Sequence, residues 1–375
     1  MWLPVIVDDE RKIFVVPCRI CGKLFLKPRR RLMGTIRGSA NKGRSEGGGS
    51  MERRQDKRVL QILTAIVLGI LAAALMWYSA NEGIDQAVGR ERGHKFGATY
   101  MTMNNPFYEI IDDELRSQLE ARGDILITRD PALDVEKQME QVLEMIDRKV
   151  DGIFINPVDW KQIGPALEEA AKAGIPIIVV DSEVFESELA ACTIVSDNYQ
   201  AGVQCADYLL EHKDGGDILL LTHSAAKSGL DRIQGFKDTM EGHEEFCILA
   251  EGDCLGQLEL AMPVTEELLN QYPQADIIMC LNDVAAMGTM AALKDAGLAG
   301  QIAVCGVDGS PDGKSMIEAG FMAATAAQFP REIGRQAAEA AYRILEGEPV
   351  EPVIKIKTEL ITRENLELYG SDGWQ

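Results

Sequence analysis

Five apolar runs in this sequence end on a carboxylate or a carboxamide. The run that begins at Phe96 leads into Asn104-Asn105-Pro106-Phe107-Tyr108. Gly152–Ile155 stops at Asn156, Ile175–Val180 at Asp181, Ile277–Leu281 at Asn282-Asp283, and Ile302–Val307 at Asp308. Amide and carboxylate side chains form paired hydrogen bonds with vicinal hydroxyls, and an aromatic ring covers the apolar face of a sugar ring. The chemistry these types can do together is the capture of a small hydroxyl-rich molecule, with Phe107 and Tyr108 as its aromatic cover. Trp160, the third aromatic near a strand end, reads as packing. Capping is the competing explanation. Asn105 before Pro106 is what a helix N-cap and first turn require, and Asp283 before an apolar helix is also a good cap. Recurrence on matching ends of several strands is harder to explain by capping alone.

These ends belong to a regular alternation. Further apolar runs at Asp124–Thr128, Cys192–Val195, Asp217–Leu221, Cys247–Ala250 and Met322–Ala327 bring the predicted strands to ten. Between them lie helical stripes, such as Phe107, Ile110, Ile111, Leu115 and Leu119, or Val135, Met139, Val142, Leu143 and Ile146. Strands buried on both faces and joined by helices form parallel, doubly wound sheets, and ligands bind beyond the carboxyl ends of such strands. The expected fold is α/β, with two parallel-sheet lobes of five strands each. The rhythm begins afresh near Asp217, so the lobe change falls at about residue 197.

Charge excludes several function classes. The chain has 375 residues and a formal net charge of −21, but residues 1–80 hold 15 Lys/Arg against 6 Asp/Glu, which leaves −30 on the remainder. So acidic a body is repelled by nucleic acid and by anionic lipid. The first βα turn, Asn104–Tyr108, is not a Gly-rich phosphate cradle, and no P-loop or GxSxG element is present. None of the four histidines lies at a strand end beside a partner carboxylate. The reading is therefore of a binding protein, with no enzyme activity, cofactor or metal expected. Of eight cysteines, Cys18 and Cys21 form a lone CxxC, too little for a zinc site. Cys192, Cys205, Cys247, Cys254, Cys280 and Cys305 read as buried thiols.

Val59–Trp77 is an apolar run of 19 residues interrupted by Gln61 and Thr64. As a helix it spans about 28 Å, close to the ~30 Å hydrocarbon core. Arg53, Arg54, Lys57 and Arg58 precede it and Glu82 and Asp85 follow, so the bias of positive charge puts everything after Trp77 outside the cell. The run is long for a cleaved signal peptide and reads as an uncleaved signal-anchor within residues 51–80, followed by a linker over 81–94. Residues 1–50 read as disordered. Alternatively Glu46–Ser50, whose Gly codons are G-rich, is a translated ribosome-binding site and Met51 the start.

Taken in order, MNNPFYEIIDDEL (103–115), DGIFINPVD (151–159), AGIPIIVVDSE (173–183), SDNYQAG (196–202), DRIQGF (231–236), LNDVAAMG (281–288), GVDGSPDG (306–313) and MAATAAQFPREIG (322–334) resemble the ribose-binding proteins of the type I periplasmic sugar-binding family of ABC importers. The resemblance spans about residues 95–360. It implies two lobes joined by a three-strand hinge, with 95–196 and 329–350 in the first and 197–328 and 351–375 in the second. It further implies that Asn105, Phe107, Tyr108, Asn156 and Asp181 line the first-lobe side of a cleft. Arg232, Asn282, Asp308 and Gln328 would line the second-lobe side and hinge. Three positions depart from the ribose binders: Ser182 replaces an Arg, Cys254 an aromatic and Met101 a small polar residue. The implied ligand is a monosaccharide or related polyol. The implied partner is an ABC permease, with a membrane sensor or histidine kinase as the alternative. A sugar-responsive repressor would need a DNA-binding motif where the apolar run stands.

Overall fold

The computed structural model describes residues 93–375, together with Gly69 alone. The readings made for residues 1–92, the membrane helix over Val59–Trp77 among them, lie outside the described residues. Among the described residues no helix is long and apolar enough to cross a membrane.

Strands β1 (Lys95–Thr99), β2 (Ile125–Arg129), β3 (Gly152–Ile155), β4 (Ile177–Val180), β5 (Cys192–Ser196), β6 (Gly216–Thr222), β7 (Phe246–Asp253), β8 (Ile277–Cys280), β9 (Ala303–Asp308), β10 (Ala324–Ala327), β11 (Val353–Ile356) and β12 (Glu359–Thr362) form two sheets. The first has the order β11-β5-β4-β3-β1-β2 and is parallel throughout. The second has the order β12-β10-β9-β8-β6-β7, parallel except where β12 meets β10. Without the returning strands β11 and β12, both sheets follow one scheme, and the winding reverses between β1 and β3 in one lobe and between β6 and β8 in the other. That reversal opens a crevice at the carboxyl ends. The continuous apolar runs are explained by burial on both faces: every residue of β3, β4, β8 and β10 is buried.

Helices α1 (Pro106–Glu120), α2 (Val135–Asp147), α3 (Gly164–Lys172), α4 (Asn198–His212), α5 (Lys227–Met240), α6 (Leu258–Gln271), α7 (Asp283–Asp295), α8 (Pro311–Glu318) and α9 (Pro330–Leu345) alternate with the strands. In α1 the buried stripe Phe107, Ile111, Leu115 and Leu119 repeats every four residues and packs toward the sheet. Helix α9 packs on α1 in the first lobe, and α4 packs on α5 in the second. The α4–α5 contact is close: a Cβ on Gly202 would stand 1.9 Å from the Arg232 carbonyl oxygen, and one on Gly235 2.1 Å from that of Tyr199. Two glycines thus let the helices touch backbone to backbone, which fixes where α5 delivers Arg232.

The chain passes between lobes three times: after Ser196 into α4, after Ala327 into α9, and between Ile356 and Glu359. Two expectations are corrected. Each sheet has six strands rather than five, and Val353–Ile356, placed by sequence in the second lobe, pairs with Thr193–Ser196 of the first. The cause is common to both. Val353-Ile354-Lys355-Ile356 alternates exposed and half-buried residues and carries a lysine, as edge strands do, so no continuous apolar run announces it. The six described cysteines are unpaired; five are buried, but Cys247 lies exposed on the outer strand β7, contrary to the burial expected of it.

Candidate functional site

On the first lobe, the turn after β1 carries Asn105, which caps α1: its Oδ1 accepts from the Phe107 backbone N–H at 3.0 Å. Capping and cavity lining coexist, because Asn105, Phe107 and Tyr108 all face the space between the lobes. Tyr108 stacks on Tyr100, with centroids 5.9 Å apart, and its hydroxyl donates to Asp181 Oδ2 at 3.3 Å. Asn156, at the end of β3, accepts from the Met101 N–H at 3.1 Å and donates through Nδ2 to Asp181 Oδ2 at 3.1 Å. One carboxylate oxygen of Asp181 is therefore held by two donors. The other, Oδ1, is buried without a protein partner.

On the second lobe, Asn282 caps α7 by accepting from the Ala285 N–H at 2.8 Å, while its Nδ2 donates to the Gly256 carbonyl at 3.2 Å. The cap expected of Asp283 falls to Asn282. Asp283 is the first helical residue, fully buried, accepting from the Ser310 N–H at 2.8 Å and the Thr325 hydroxyl at 2.7 Å. Arg232 donates to Asn198 Oδ1 at 2.8 Å and to the Leu281 carbonyl at 3.0 Å, and stands 3.7 Å from Asp308 Oδ1. Gln328 Nε2 donates to that same oxygen at 2.7 Å. Asp308 Oδ2 and Gln328 Oε1 are buried without a protein partner.

Asp181 and Asp308, facing the cavity from opposite lobes, both leave their strands with positive φ, 66° and 132°. Aspartate tolerates the left-handed region of Asp181 better than most side chains, whereas Asp308 lies beyond it, and such backbone concentrates where function demands a particular aim. Burial pushes the Asp181 carboxyl up to about 6, against the pull of Arg232 and its two donors. Burial likewise raises Asp308 and Asp283; Arg232 opposes the rise in Asp308 and the neighbouring carboxylate adds to it. Burial pushes His223, also on the cavity wall, down to about 4, so its ring is neutral near pH 7.

With the lobes together the cavity leaves about 20 Å³ free, room for about one water, so a ring-sized ligand enters only when the lobes part. Asn105, Phe107, Tyr108, Asp181, Arg232, Asn282, Asp308 and Gln328 line it together. Asn156 is the exception: it does not form part of the wall but sits fully buried behind Asp181, which it orients. Trp160 packs edge-on against Phe185, away from the cavity. The lobes are in contact around the site, through Ser228 N–H to Ser182 Oγ at 3.1 Å and Trp160 N–H to the Ala225 carbonyl at 3.1 Å.

Met101, singled out by sequence as a departure from the ribose binders, lines the cavity, but the sequence reading missed His223, Ala226, Ser228, Leu255, Gly256 and Gln257. His223 and the Leu255–Gln257 turn follow the ends of β6 and β7, so the strand-end rule applies to them too. It failed at β7 because Glu251-Gly252-Asp253 extend the strand three residues beyond its apolar run. The chain terminus had no such signal. Trp374 packs against Phe107, centroids 5.7 Å apart, while the buried Lys314 of the second lobe donates to the Gly373 carbonyl at 2.5 Å.

Two such lobes closing on one polar cavity define a bilobal binding protein of the periplasmic type. Residues 96–349 match the family model of the periplasmic binding protein domain, and the chain belongs to the type I periplasmic sugar-binding family. It is a substrate-binding protein and not an enzyme. It is 29% identical over 265 residues to the ribose import binding protein RbsB of Escherichia coli (strain K12), covering 70% of this chain and 88% of that protein. Similarity to the D-allose-binding periplasmic protein of the same organism is 26% over 253 residues, 64% of this chain and 81% of that one. Among solved structures, the Caulobacter myo-inositol binding protein bound to myo-inositol superposes with a TM-score of 0.70 at 26% identity, over 75% of this chain and 97% of that chain.

Proposed function

We propose that the chain is the extracytoplasmic substrate-binding component of a sugar ABC importer, capturing a monosaccharide or related polyol between its lobes by hinge closure. One observation carries this reading. Three buried acceptors, Asp181 Oδ1 from the first lobe, Asp308 Oδ2 from the second and Gln328 Oε1 from a crossing segment, belong to one cavity wall and have no protein partner. A buried acceptor left unmade costs about 1–3 kcal/mol, and ligand hydroxyls donating to all three relieve that cost only when the lobes are closed. Phe107 and Tyr108 supply the apolar face for the ring carbons.

Relatives named for ribose and D-allose, and a solved neighbour holding myo-inositol, support a single hydroxylated ring as the ligand. Calorimetric titration of the chain with pentoses, hexoses and cyclitols tests the reading. At least one is expected to bind, with Asp308→Ala and Asn282→Ala abolishing the heat while the far-ultraviolet dichroism stays unchanged. Absence of binding across the panel would sink it.

The tether belongs to the same proposal. Val59–Trp77 acts as a signal-anchor that holds the binding unit outside the cell and near its permease, supported by the length of the run and the basic residues before it. Alkaline extraction and external protease on intact cells test this: the chain is expected to stay with the membrane, and its lobes to be digested from outside.

A further inference from the structure

Most polar cavities offer a ligand both donors and acceptors. Here the wall's unpartnered buried side-chain atoms, Asp181 Oδ1, Asp308 Oδ2 and Gln328 Oε1, are acceptors without exception. Several donors at the wall are already engaged: Arg232 Nε and Nη1 with Asn198 and the Leu281 carbonyl, Asn282 with the Gly256 carbonyl, Gln328 with Asp308, and the Tyr108 hydroxyl with Asp181. Arg232 Nη2 and the Asn105 amide remain as its open donors, so it is charge that favours an ammonium.

The charge points the same way. Two carboxylates, Asp181 and Asp308, stand on the wall, 2% exposed each, and a third, Asp283, lies buried behind them. Against them the wall has one guanidinium, Arg232, which is nearer the second-lobe carboxylate, at 3.7 Å from Asp308. Ser182, beside Asp181, is buried and brings no charge; its hydroxyl accepts from the Ser228 N–H. His223 is held neutral by its burial. A neutral polyol would leave the cavity with an excess negative charge, or with a carboxyl forced to keep its proton. An ammonium group has three donors and no acceptor, and it cancels that charge.

Resting on the polyol-capture reading, we propose that the preferred ligand carries a primary ammonium beside its hydroxyls, as an amino sugar or aminocyclitol does, with the nitrogen placed between Asp181 and Asp308. Titration calorimetry at pH 7 compares D-glucosamine, D-galactosamine and an amino-deoxy-inositol with their hydroxyl parents and their N-acetyl derivatives. At least one amine is expected to bind ten-fold or more tightly than its parent, and its N-acetyl form to bind more weakly than either. Asp181→Asn keeps the shape of the wall but removes a charge. It is expected to lower affinity for the amine about a hundred-fold and for the parent less than ten-fold. Parents binding as tightly as their amines would overturn the ammonium proposal and leave polyol capture standing. If neither set binds, polyol capture itself fails, and this inference with it.

Discussion

The two lobes share one strand order but prepare their halves of the cavity differently. The first builds a mostly neutral surface. Asn156, Tyr108 and Asp181 form one hydrogen-bonded chain that ends in a single carboxylate, and two aromatic side chains flank it. The second concentrates charge, with Arg232, Asp308 and Asp283 fully buried around the ends of β8 and β9. Apart from Asp181 Oδ1, the first-lobe surface is complete before ligand arrives. A buried ion cluster with orphaned oxygens is complete only afterwards. Damage to the first lobe, Asp181 apart, should therefore be read mainly in affinity, whereas damage to the second should also be read in stability.

Arg232 gives the sharpest test of that distinction. Arg232→Met keeps much of the side chain's volume but leaves Asp308 and Asp283 without their cation and Asn198 Oδ1 without its donor. Breaking a buried pair in this way costs roughly 3–5 kcal/mol. Denaturant unfolding should register that loss, and calorimetry should detect no ligand. A stable Arg232→Met protein would erase the contrast between the lobes.

A pH series on the ligand-free protein probes the carboxylate that the first lobe contributes. Asp181 titrates near 6 when folded and near 4 when unfolded. Because the folded state holds the proton longer, its contribution is fully present below about pH 4 and is lost as pH rises toward 6. The groups facing it are Tyr108, Asn156 and Arg232, with Asp308 across the cavity. His223 works in the opposite direction, losing its contribution as pH falls from 6.5 toward 4, so the comparison must be with Asp181→Asn rather than with pH alone. Between pH 4 and 6 the wild-type chain should lose roughly 2–3 kcal/mol relative to that variant. Parallel curves for the two proteins would show that Asp181 is not desolvated as the geometry requires.

Asn156 marks the boundary of what could be read from sequence. Its place at a strand end was legible, since β3 is a continuous apolar run, but its role was not. Nothing in Gly152–Ile155 says that the amide will turn inward to the Met101 N–H and Asp181 instead of reaching the ligand. The same limit applies elsewhere. Periodicity located the strands buried on both faces, and through them the carboxyl-end residues. It lost the polar end of β7 and the edge strand β11, where exposure removes the apolar signal, and β12, whose Leu360-Ile361 pair is too short a run to read. As a residue acting through another, Asn156→Ala should weaken binding by about ten-fold, near 1.4 kcal/mol. Asn156→Asp, which cannot donate to Asp181, should not rescue it. Equal affinity in wild-type and Ala proteins would remove Asn156 from the site.

The smallest expected effect concerns a region that neither lobe claims alone. Residues after Gly370 are anchored in the second lobe, through the Lys314 ammonium on the Gly373 carbonyl, while the Trp374 ring lies against Phe107 of the first. Lys314 is fully buried, and burial holds its ammonium below the usual lysine range; a buried donor of this kind is costly without its acceptor. A tail that touches both lobes at the cavity's edge contributes to the closed state alone, because opening separates Phe107 from Trp374. Trp374→Ala removes that contact without disturbing Lys314, and a lost aromatic pair is worth about 0.5–1.5 kcal/mol beyond the buried area. Ligand affinity is therefore expected to fall a few-fold, with a larger radius of gyration in small-angle scattering of the ligand-free protein. If neither changes, the ring is packing on the first lobe only, and closure rests wholly on the groups that face the cavity.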